Sequence, residues 1–128
     1  MVEFKTLLAV GDIADKHIVT IVETGTVRDA ATTMKDKNAS ALLVLSESGS
    51  VTGIITEQDI VRRGVATAID LEKSPVTDIM TANPIVIDST ESIFEAKKIM
   101  SGQDAHHLIV IKDDKPVGIL TAKNVLGG

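Results

Sequence analysis

The chain has 128 residues, a formal net charge of −5, no cysteine, no Trp or Tyr, and only two Phe. This length fits one compact domain with an aliphatic core, and the lack of cysteine excludes disulfides, thiolate catalysis and cysteine-ligated zinc. The acidic balance and the scarcity of aromatic side chains disfavour nucleic acid as a partner, and no apolar stretch approaches the ~20 residues that span a bilayer.

The two halves of the sequence repeat each other. Residues of the first half match those 66 positions later, and after a loop that is one residue shorter in the second half the offset becomes 65. The matched segments are 12–13 with 78–79, 42–45 with 108–111, and 53–56 with 118–121. Two copies are too few for an open solenoid, so we expect them to pack around a pseudo-two-fold axis, with clefts where they meet.

In chain order, each half is predicted to form β-α-β-β-α. Short β-branched strands at 19–22 and 85–87 precede helices that begin at Thr26 and Ser92, each three residues before an acid. Both starts predict a capping box, stronger in the second half, where the acid is Glu95 rather than Asp29. Two strands joined by a hairpin turn and a short closing helix follow in each half, at 41–45, 51–55 and 57–63, then at 107–111, 117–120 and 122–126.

This order predicts an α+β fold, a tandem pair of β-α-β-β-α repeats in which helices cover one face of the strands. The chain is predicted to be a single module, 1–128, with a first repeat at 8–64, a linker at 65–75 and a second repeat at 76–126. Because its first residues lack the layout of a signal peptide, a cytoplasmic location is expected.

Apolar residues on the closing helices predict a homodimer. One module is not expected to bury all four of them, which are Ile60, Val61, Val125 and Leu126. We expect a second copy to cover them, together with the neighbouring helices that carry Met34 and Met100.

The main candidate site lies where the last strand of the first half meets its closing helix. Residues 53–59 read Gly-Ile-Ile-Thr-Glu-Gln-Asp, so the Thr56 hydroxyl and the free N–H groups of the first helical turn face one place that suits a phosphate. Asp59, one turn later, presents a carboxylate that can accept two hydrogen bonds from the vicinal diol of a ribose. A structural alternative stays open, in which Thr56 and Asp59 form only a capping box, like Thr26 and Asp29.

The tandem order together with this motif resembles the cystathionine-β-synthase (CBS) domain pair over about residues 8–126. Residues 78–84, Asp-Ile-Met-Thr-Ala-Asn-Pro, are similar to the family's usual start of a repeat. The resemblance implies a module that binds AMP, ADP, ATP, NAD(H), S-adenosylmethionine or a related adenosyl ligand in clefts between the repeats. It also implies regulation of another protein and pairing of two modules.

In that family, a cleft takes its Thr and Asp from one repeat and its phosphate-facing and base-facing residues from the other. The resemblance therefore implies one complete site, formed by Thr56, Asp59, Ile85, Val86, His106, His107 and Lys123. The second cleft is expected to be weaker or empty, because an amide replaces the carboxylate. Its residues are Val19, Ser40, Ala41, Thr121 and Asn124.

Ordinary surface roles stay open for the basic residues. Adjacent strand residues point to opposite faces, so one of His106 and His107 is expected to face away from the cleft unless the strand begins there. These two histidines lack the spacing and partners of a metal site, so no metal is expected. Lys123 opposes the dipole at a helix start, which favours a bound anion, whereas the dipole explains Arg62 and Arg63 at a helix end.

No catalytic constellation is visible in the sequence, which lacks a defensible Ser-His-Asp set, a Walker-type phosphate loop or a paired-acid motif. The expected function is a non-enzymatic sensor that binds an adenine nucleotide as a regulatory ligand, needs no cofactor, and acts in trans on an unidentified protein. The alternative is a dimeric scaffold whose ligand cleft is vestigial.

Overall fold

The computed structural model describes residues 8–127, with side chains as far as Val125. The helices and strands, in chain order, are α1 (Val10–Ile13), β1 (Thr20–Val22), α2 (Val27–Lys37), β2 (Ala41–Leu45), β3 (Val51–Thr56), α3 (Glu57–Asp59), β4 (Thr81–Ala82), β5 (Val86–Asp88), α4 (Ile93–Gln103), β6 (His107–Lys112), β7 (Lys115–Thr121) and α5 (Ala122–Gly127). The described residues divide into two compact units, one formed by residues 19–84 and the other by residues 8–18 and 85–127.

The unit of residues 19–84 is built on a four-stranded sheet in the order β1-β2-β3-β4. β1 runs parallel to β2, and β2, β3 and β4 follow one another antiparallel. After α3, the chain continues as a π-helical turn, Ile60–Val65, and a 3₁₀ turn, Val76–Asp78, precedes β4. β3, whose residues 53–55 are buried, ends at Thr56, and α3 begins directly after it. The Thr56 turn therefore lies at the end of a buried strand.

The core of this unit forms between α2 and the sheet. Val27, Ala30 and Met34 recur at helical spacing on the buried face of α2 and pack with apolar residues of β2 and β3. Val76 and Ile79 belong to the same core, being 0% and 3% exposed. The compact unit therefore extends past the predicted linker to include the first residues of the second sequence repeat.

The other unit has a three-stranded sheet, β5-β6-β7, with the same parallel and antiparallel pairings as β1-β2-β3. Ala96 and Met100 of α4 pack on β6 and β7, and Val10 and Ala14 of the N-terminal segment complete the core. Asp15 and Ile119 exchange two backbone hydrogen bonds of 2.9 Å, which holds that segment along β7. This unit consequently joins the N-terminal residues to the second sequence repeat.

The predicted α+β class and the order β-α-β-β-α are confirmed in both units.

The two predicted capping boxes have different outcomes. Thr26 and Asp29 form the full reciprocal box, with both hydrogen bonds at 3.0 Å. Ser92 accepts from the Glu95 N–H at 3.0 Å, but the Glu95 carboxylate lies 3.8 Å from the Lys98 ammonium instead of closing a box. The prediction of a stronger box in the second half is therefore wrong.

The apolar residues expected on the closing helices are only partly exposed. Val125 is 5% exposed and belongs to the core of its own unit, so its predicted exposure is wrong, and the Leu126 side chain lies outside the described residues. Val61 and Val65 are exposed, at 59% and 58%. In the range 8–127, no helix combines the length and apolarity that crossing a membrane requires.

Candidate functional site

Thr56 ends β3, and Asp59 lies in the first turn of the helix that follows. Thr56 Oγ1 accepts a hydrogen bond from the Asp59 N–H at 3.1 Å, and Asp59 Oδ2 accepts one from the Thr56 N–H at 2.9 Å. This reciprocal pair is a capping box, so the structural alternative is correct as a description of the local geometry. The box fixes the orientation of the Asp59 carboxylate at the helix start.

The Asp59 carboxylate keeps acceptor capacity beyond the box. Its side chain is 17% exposed, and Oδ1 lies 3.9 Å from Arg63 Nη1, an ion-pair distance that is longer than a hydrogen bond. A carboxylate has about four lone-pair sites, of which the Thr56 N–H uses one. The geometry therefore allows a capping role and acceptance of a diol at the same time.

The helix start offers a phosphate fewer donors than the sequence predicts. The Glu57 N–H donates to the Ser40 carbonyl at 3.0 Å, and the Asp59 N–H is bonded to Thr56 Oγ1. Because two N–H groups of this turn are bonded within the protein, a phosphate there would have to share or displace those bonds. Charged side chains are in general stronger phosphate ligands than N–H groups that are already bonded.

The equivalent turn of the second repeat has a different chemistry. Asn124 Oδ1 accepts from both the Thr121 N–H, at 3.1 Å, and the Thr121 hydroxyl, at 2.9 Å, while the Asn124 N–H donates to Thr121 Oγ1 at 3.1 Å. The amide oxygen is thus engaged twice, and the remaining polar group of Asn124 is an NH₂ donor. A diol that needs a strong acceptor finds a poorer partner here than at Asp59.

The predicted basic residues lie close to this second turn. His106 immediately precedes β6 and is exposed; its carbonyl accepts from the Ala122 N–H at 3.1 Å. His107 is the first residue of β6, pairs in register with Thr121 and is half-buried. Lys123 is exposed in the first turn of α5. Since the strand begins at His107, the alternation of strand faces does not by itself force the two histidines apart.

The predicted apolar shelf lies at the start of β5, where Val86 is the first strand residue and Ile85 immediately precedes it. The Ile85 carbonyl accepts from the Ile109 N–H at 2.9 Å, and Val86 pairs in register with Ile109. Val86 is 50% exposed, whereas Ile85 is half-buried. An exposed valine at this edge is available to contact the face of a base.

The structure brings the predicted residues together in two groups, one in each compact unit. Thr56 and Asp59 share the unit of residues 19–84 with three residues predicted for the weaker cleft: Val19, whose carbonyl accepts from Leu43, exposed Ser40, and Ala41, which pairs with Thr56. The other unit holds Ile85, Val86, His106, His107, Thr121, Lys123 and Asn124. The assignment of Asp59 and the basic residues to one complete site stays a prediction.

The contacts of Arg63 in the candidate site were not predicted from the sequence. Arg63, whose position at a helix end was attributed to the helix dipole, donates from Nη1 to the Ile79 carbonyl at 2.9 Å and lies beside Asp59. The i, i+4 spacing of Asp59 and Arg63 is a signal that could have indicated the ion pair. The contact with Ile79 joins residues 16 positions apart and has no local signal.

Comparisons with known proteins agree with this architecture. The family model for the CBS domain matches residues 10–66 and 76–127. The Bacillus subtilis protein YlbB, described as uncharacterized, is 33% identical over 84% of this chain and 72% of its own length. Several other curated relatives are longer proteins, and the chain matches less than a quarter of their length.

Solved structures show the same fold. A hexameric CBS-CP12 protein from bloom-forming cyanobacteria superposes with a TM-score of 0.86 and 26% identity, covering 94% of this chain and 67% of that one. CBSX2, solved in complex with AMP, gives a TM-score of 0.71 and 22% identity over 93% of both chains. With two family matches that account for most of its length, in two units of one topology, the chain belongs to the CBS domain family as a tandem pair of CBS domains.

Proposed function

We propose that the chain is a non-catalytic sensor that binds an adenine nucleotide or a related adenosyl ligand and regulates a partner protein in trans. The observation that carries the proposal is the Asp59 carboxylate, oriented by a capping box, 17% exposed and with acceptor sites to spare. Its second-repeat counterpart, Asn124, lacks this capacity. A cytoplasmic location is part of the same proposal.

The ribose is the part of the ligand that Asp59 recognises. A carboxylate accepts hydrogen bonds from both hydroxyls of a vicinal diol, and charge-assisted bonds of this kind are about twice as strong as neutral ones. Because Oδ2 is fixed by the Thr56 N–H, the carboxylate needs little reorganisation to accept them. Recognition through the ribose alone is compatible with AMP, ADP, ATP, NAD(H) and S-adenosylmethionine.

The basic residues supply the phosphate contacts in this proposal. His106 and Lys123 are exposed, and His107 lies directly before the buried part of β6, near the Thr121 turn. Val86 and Ile85 provide the apolar surface for the base. The AMP in the CBSX2 complex supports an adenosine ligand for this fold.

A dimeric scaffold with a vestigial ligand site is the second candidate. It is favoured by the exposed Val61 and Val65 and by an apolar groove in each unit. The groove between α2 and the π-helical turn is lined by Met34, Ile60 and Val61, and the groove between α4 and α5 by Met100, Ala122 and Val125. A second copy that covers the helices would fill such grooves, and this pairing is compatible with the sensor function.

A thermal-shift panel separates the two candidates. The purified protein is heated alone and with AMP, ADP, ATP, NADH or S-adenosylmethionine. A ligand at 100 times its Kd stabilises the folded protein by about 2.7 kcal/mol, which raises the Tm by several degrees for a chain of this size. A sensor shows this rise with at least one adenosyl ligand, whereas a scaffold with a vestigial site shows none across the panel.

A further inference from the structure

Arg63 links the Asp59 carboxylate to a distant stretch of main chain in the same unit. Its Nη1 donates to the Ile79 carbonyl at 2.9 Å, lies 3.4 Å from the Met80 carbonyl, and is 3.9 Å from Asp59 Oδ1. The two carbonyls belong to the residues directly before β4. One guanidinium group therefore lies at ion-pair distance from Asp59, the candidate ribose-binding residue, and hydrogen-bonds to the main chain that leads into the edge strand β4.

The helix geometry explains why Arg63 reaches this position. The chain leaves α3 as a π-helical turn, in which the Ala66 N–H bonds to the Val61 carbonyl at 2.9 Å. Gly64 within this turn is buried, and a side chain there would meet Ile69, Leu71 and Ile79 at 3.7 Å. Gly64 thus packs next to Ile79 at van der Waals distance, and the neighbouring Arg63 reaches the Ile79 carbonyl. π-Helical turns of this kind are rare and are found frequently at functional sites.

We propose that Arg63 is a positioning residue for Asp59, which sets the selectivity of the site for a ribose diol; this inference rests on the proposed function. The bond to Ile79 anchors Nη1, and the anchored cation attracts Oδ1, while the capping box holds Oδ2. The two restraints fix the carboxylate plane from both sides. The guanidinium group approaches the carboxylate through Nη1, the same nitrogen that donates to the Ile79 carbonyl.

The role is geometric rather than stabilising. The Arg63 side chain is 55% exposed, and exposed ion pairs at this distance add little to folding stability. Loss of the ion pair should therefore affect the preference for the diol more than the unfolding of the protein. This difference separates a positioning residue from a residue that only supports the fold.

The test compares the binding of AMP with that of 2′-deoxyAMP, and of ATP with that of 2′-deoxyATP, by calorimetry. Within each pair the base and phosphates are identical, so the ratio of the two Kd values reports only on recognition of the diol. We expect the wild type to prefer the ribonucleotide roughly tenfold or more, as hydrogen bonds to a carboxylate require. The preference corresponds to a difference in binding free energy between the ribonucleotide and the deoxyribonucleotide. If Arg63→Gln loses half of this difference, a tenfold preference falls to about threefold.

Two variants serve as controls. Arg63→Lys keeps the positive charge and should give a preference between those of the wild type and Arg63→Gln. Arg62→Gln removes the same charge from the adjacent exposed position and should keep the wild-type ratio. In a double variant with Asp59→Asn, Arg63→Gln should cause no further loss, because the carboxylate it positions is already absent.

A measurement on the wild type alone covers the case in which Arg63→Gln does not fold. Since the ion pair is partly exposed, salt at 1 M should screen it and lower the ribose preference relative to 0.05 M. An unchanged ratio in Arg63→Gln, an equal loss in Arg62→Gln, or a salt-independent wild-type ratio would overturn the positioning role while leaving the sensor function intact. A wild type without ribose preference in either pair would overturn the proposed recognition by Asp59 and this inference with it.

Discussion

At the residue scale, the two repeats differ at one decisive position. Asp59 and Asn124 both close a cap with the preceding threonine, but the carboxylate retains acceptors where the amide oxygen is bonded twice. The Thr-x-x-Asp pattern was sufficient to predict the cap and the carboxylate. It could not predict that Arg63 contacts the Ile79 carbonyl, because that bond depends on how a distant segment packs.

The basic residues should show their role through a ranking of ligands. If Lys123, His106 and His107 contact phosphates, alanine substitutions should weaken ATP and ADP more than AMP, and adenosine least, because each phosphate adds negative charge. Titration calorimetry of each variant with the four ligands measures the ranking. Lys98→Ala, which removes an exposed lysine of the same unit, is the control and should leave all four affinities unchanged. If the substitutions weaken the binding of adenosine as much as that of ATP, these residues have ordinary surface roles and do not contact phosphates.

Asp88 should contribute to the stability that the protein loses in acid. The side-chain hydroxyl of Thr90, and then its backbone N–H, hold the pKa of the Asp88 carboxyl below its ordinary value of 3.8. A lowered pKa means that the stabilising contribution is present above pH 3.8 and is lost as the pH falls through the folded-state value. We expect Asp88→Asn to show a smaller loss of stability between pH 4 and pH 2 than the wild type, measured by denaturant unfolding. An equal loss of the free energy of unfolding in both proteins over this pH range would contradict the prediction.

At the element scale, the sequence predicted the strands and the long helices closely. β-Branched runs and helical apolar spacing lie within single elements, so local pattern was sufficient for β2, β6, α2 and α4. The left-handed Asn38 and Asp104, with φ of 54° and 52°, end both long helices in the way such residues favour. The π-helical turn at Ile60–Val65, in which Gly64 is buried against other segments, had no such local signal.

The turn before α5 should be convertible into a second ribose site. Asn124→Asp restores the carboxylate and keeps an oxygen for the Thr121 N–H, so the cap is retained. We expect the wild type to bind one dominant nucleotide per chain and the variant to bind a second with measurable affinity. The stoichiometry from titration calorimetry tests this. Two equally tight sites on the wild-type chain would show that Asn124 is no handicap.

At the scale of the whole molecule, the compact units do not follow the sequence repeats. Val76 and Ile79 complete the core of the unit that contains the first repeat, and Val10 and Ala14 complete the other core. Sequence matching assigns these segments to the repeat that they begin, because it compares residues and not packing partners. The predicted repeat bounds therefore describe the duplication and stay a prediction for the physical domains.

Assembly is the second property at this scale. We expect a homodimer, because Val61 and Val65 are exposed on a helical face that borders the groove at Met34. Burial of a valine side chain contributes about 1.5–3 kcal/mol, so Val61→Glu should shift the protein toward monomer. Sedimentation velocity at tens of micromolar measures the mass, and Val22→Glu, at an exposed valine of β1, is the matched control. A wild type that sediments as a clean monomer would refute the dimer.

The central claim, that Asp59 binds the ribose of an adenosyl ligand, is tested most directly by titrating AMP and ATP into the wild type, Asp59→Asn and Asp29→Asn. Both variants replace the acid of a capping box by an amide that can still close it, as Asn124 does. We expect Asp59→Asn to weaken both ligands by a similar 1.5–3 kcal/mol, on the order of ten- to hundredfold in Kd, while Asp29→Asn binds them like the wild type. Equal affinities in all three proteins would contradict the claim and leave Asp59 as a helix cap.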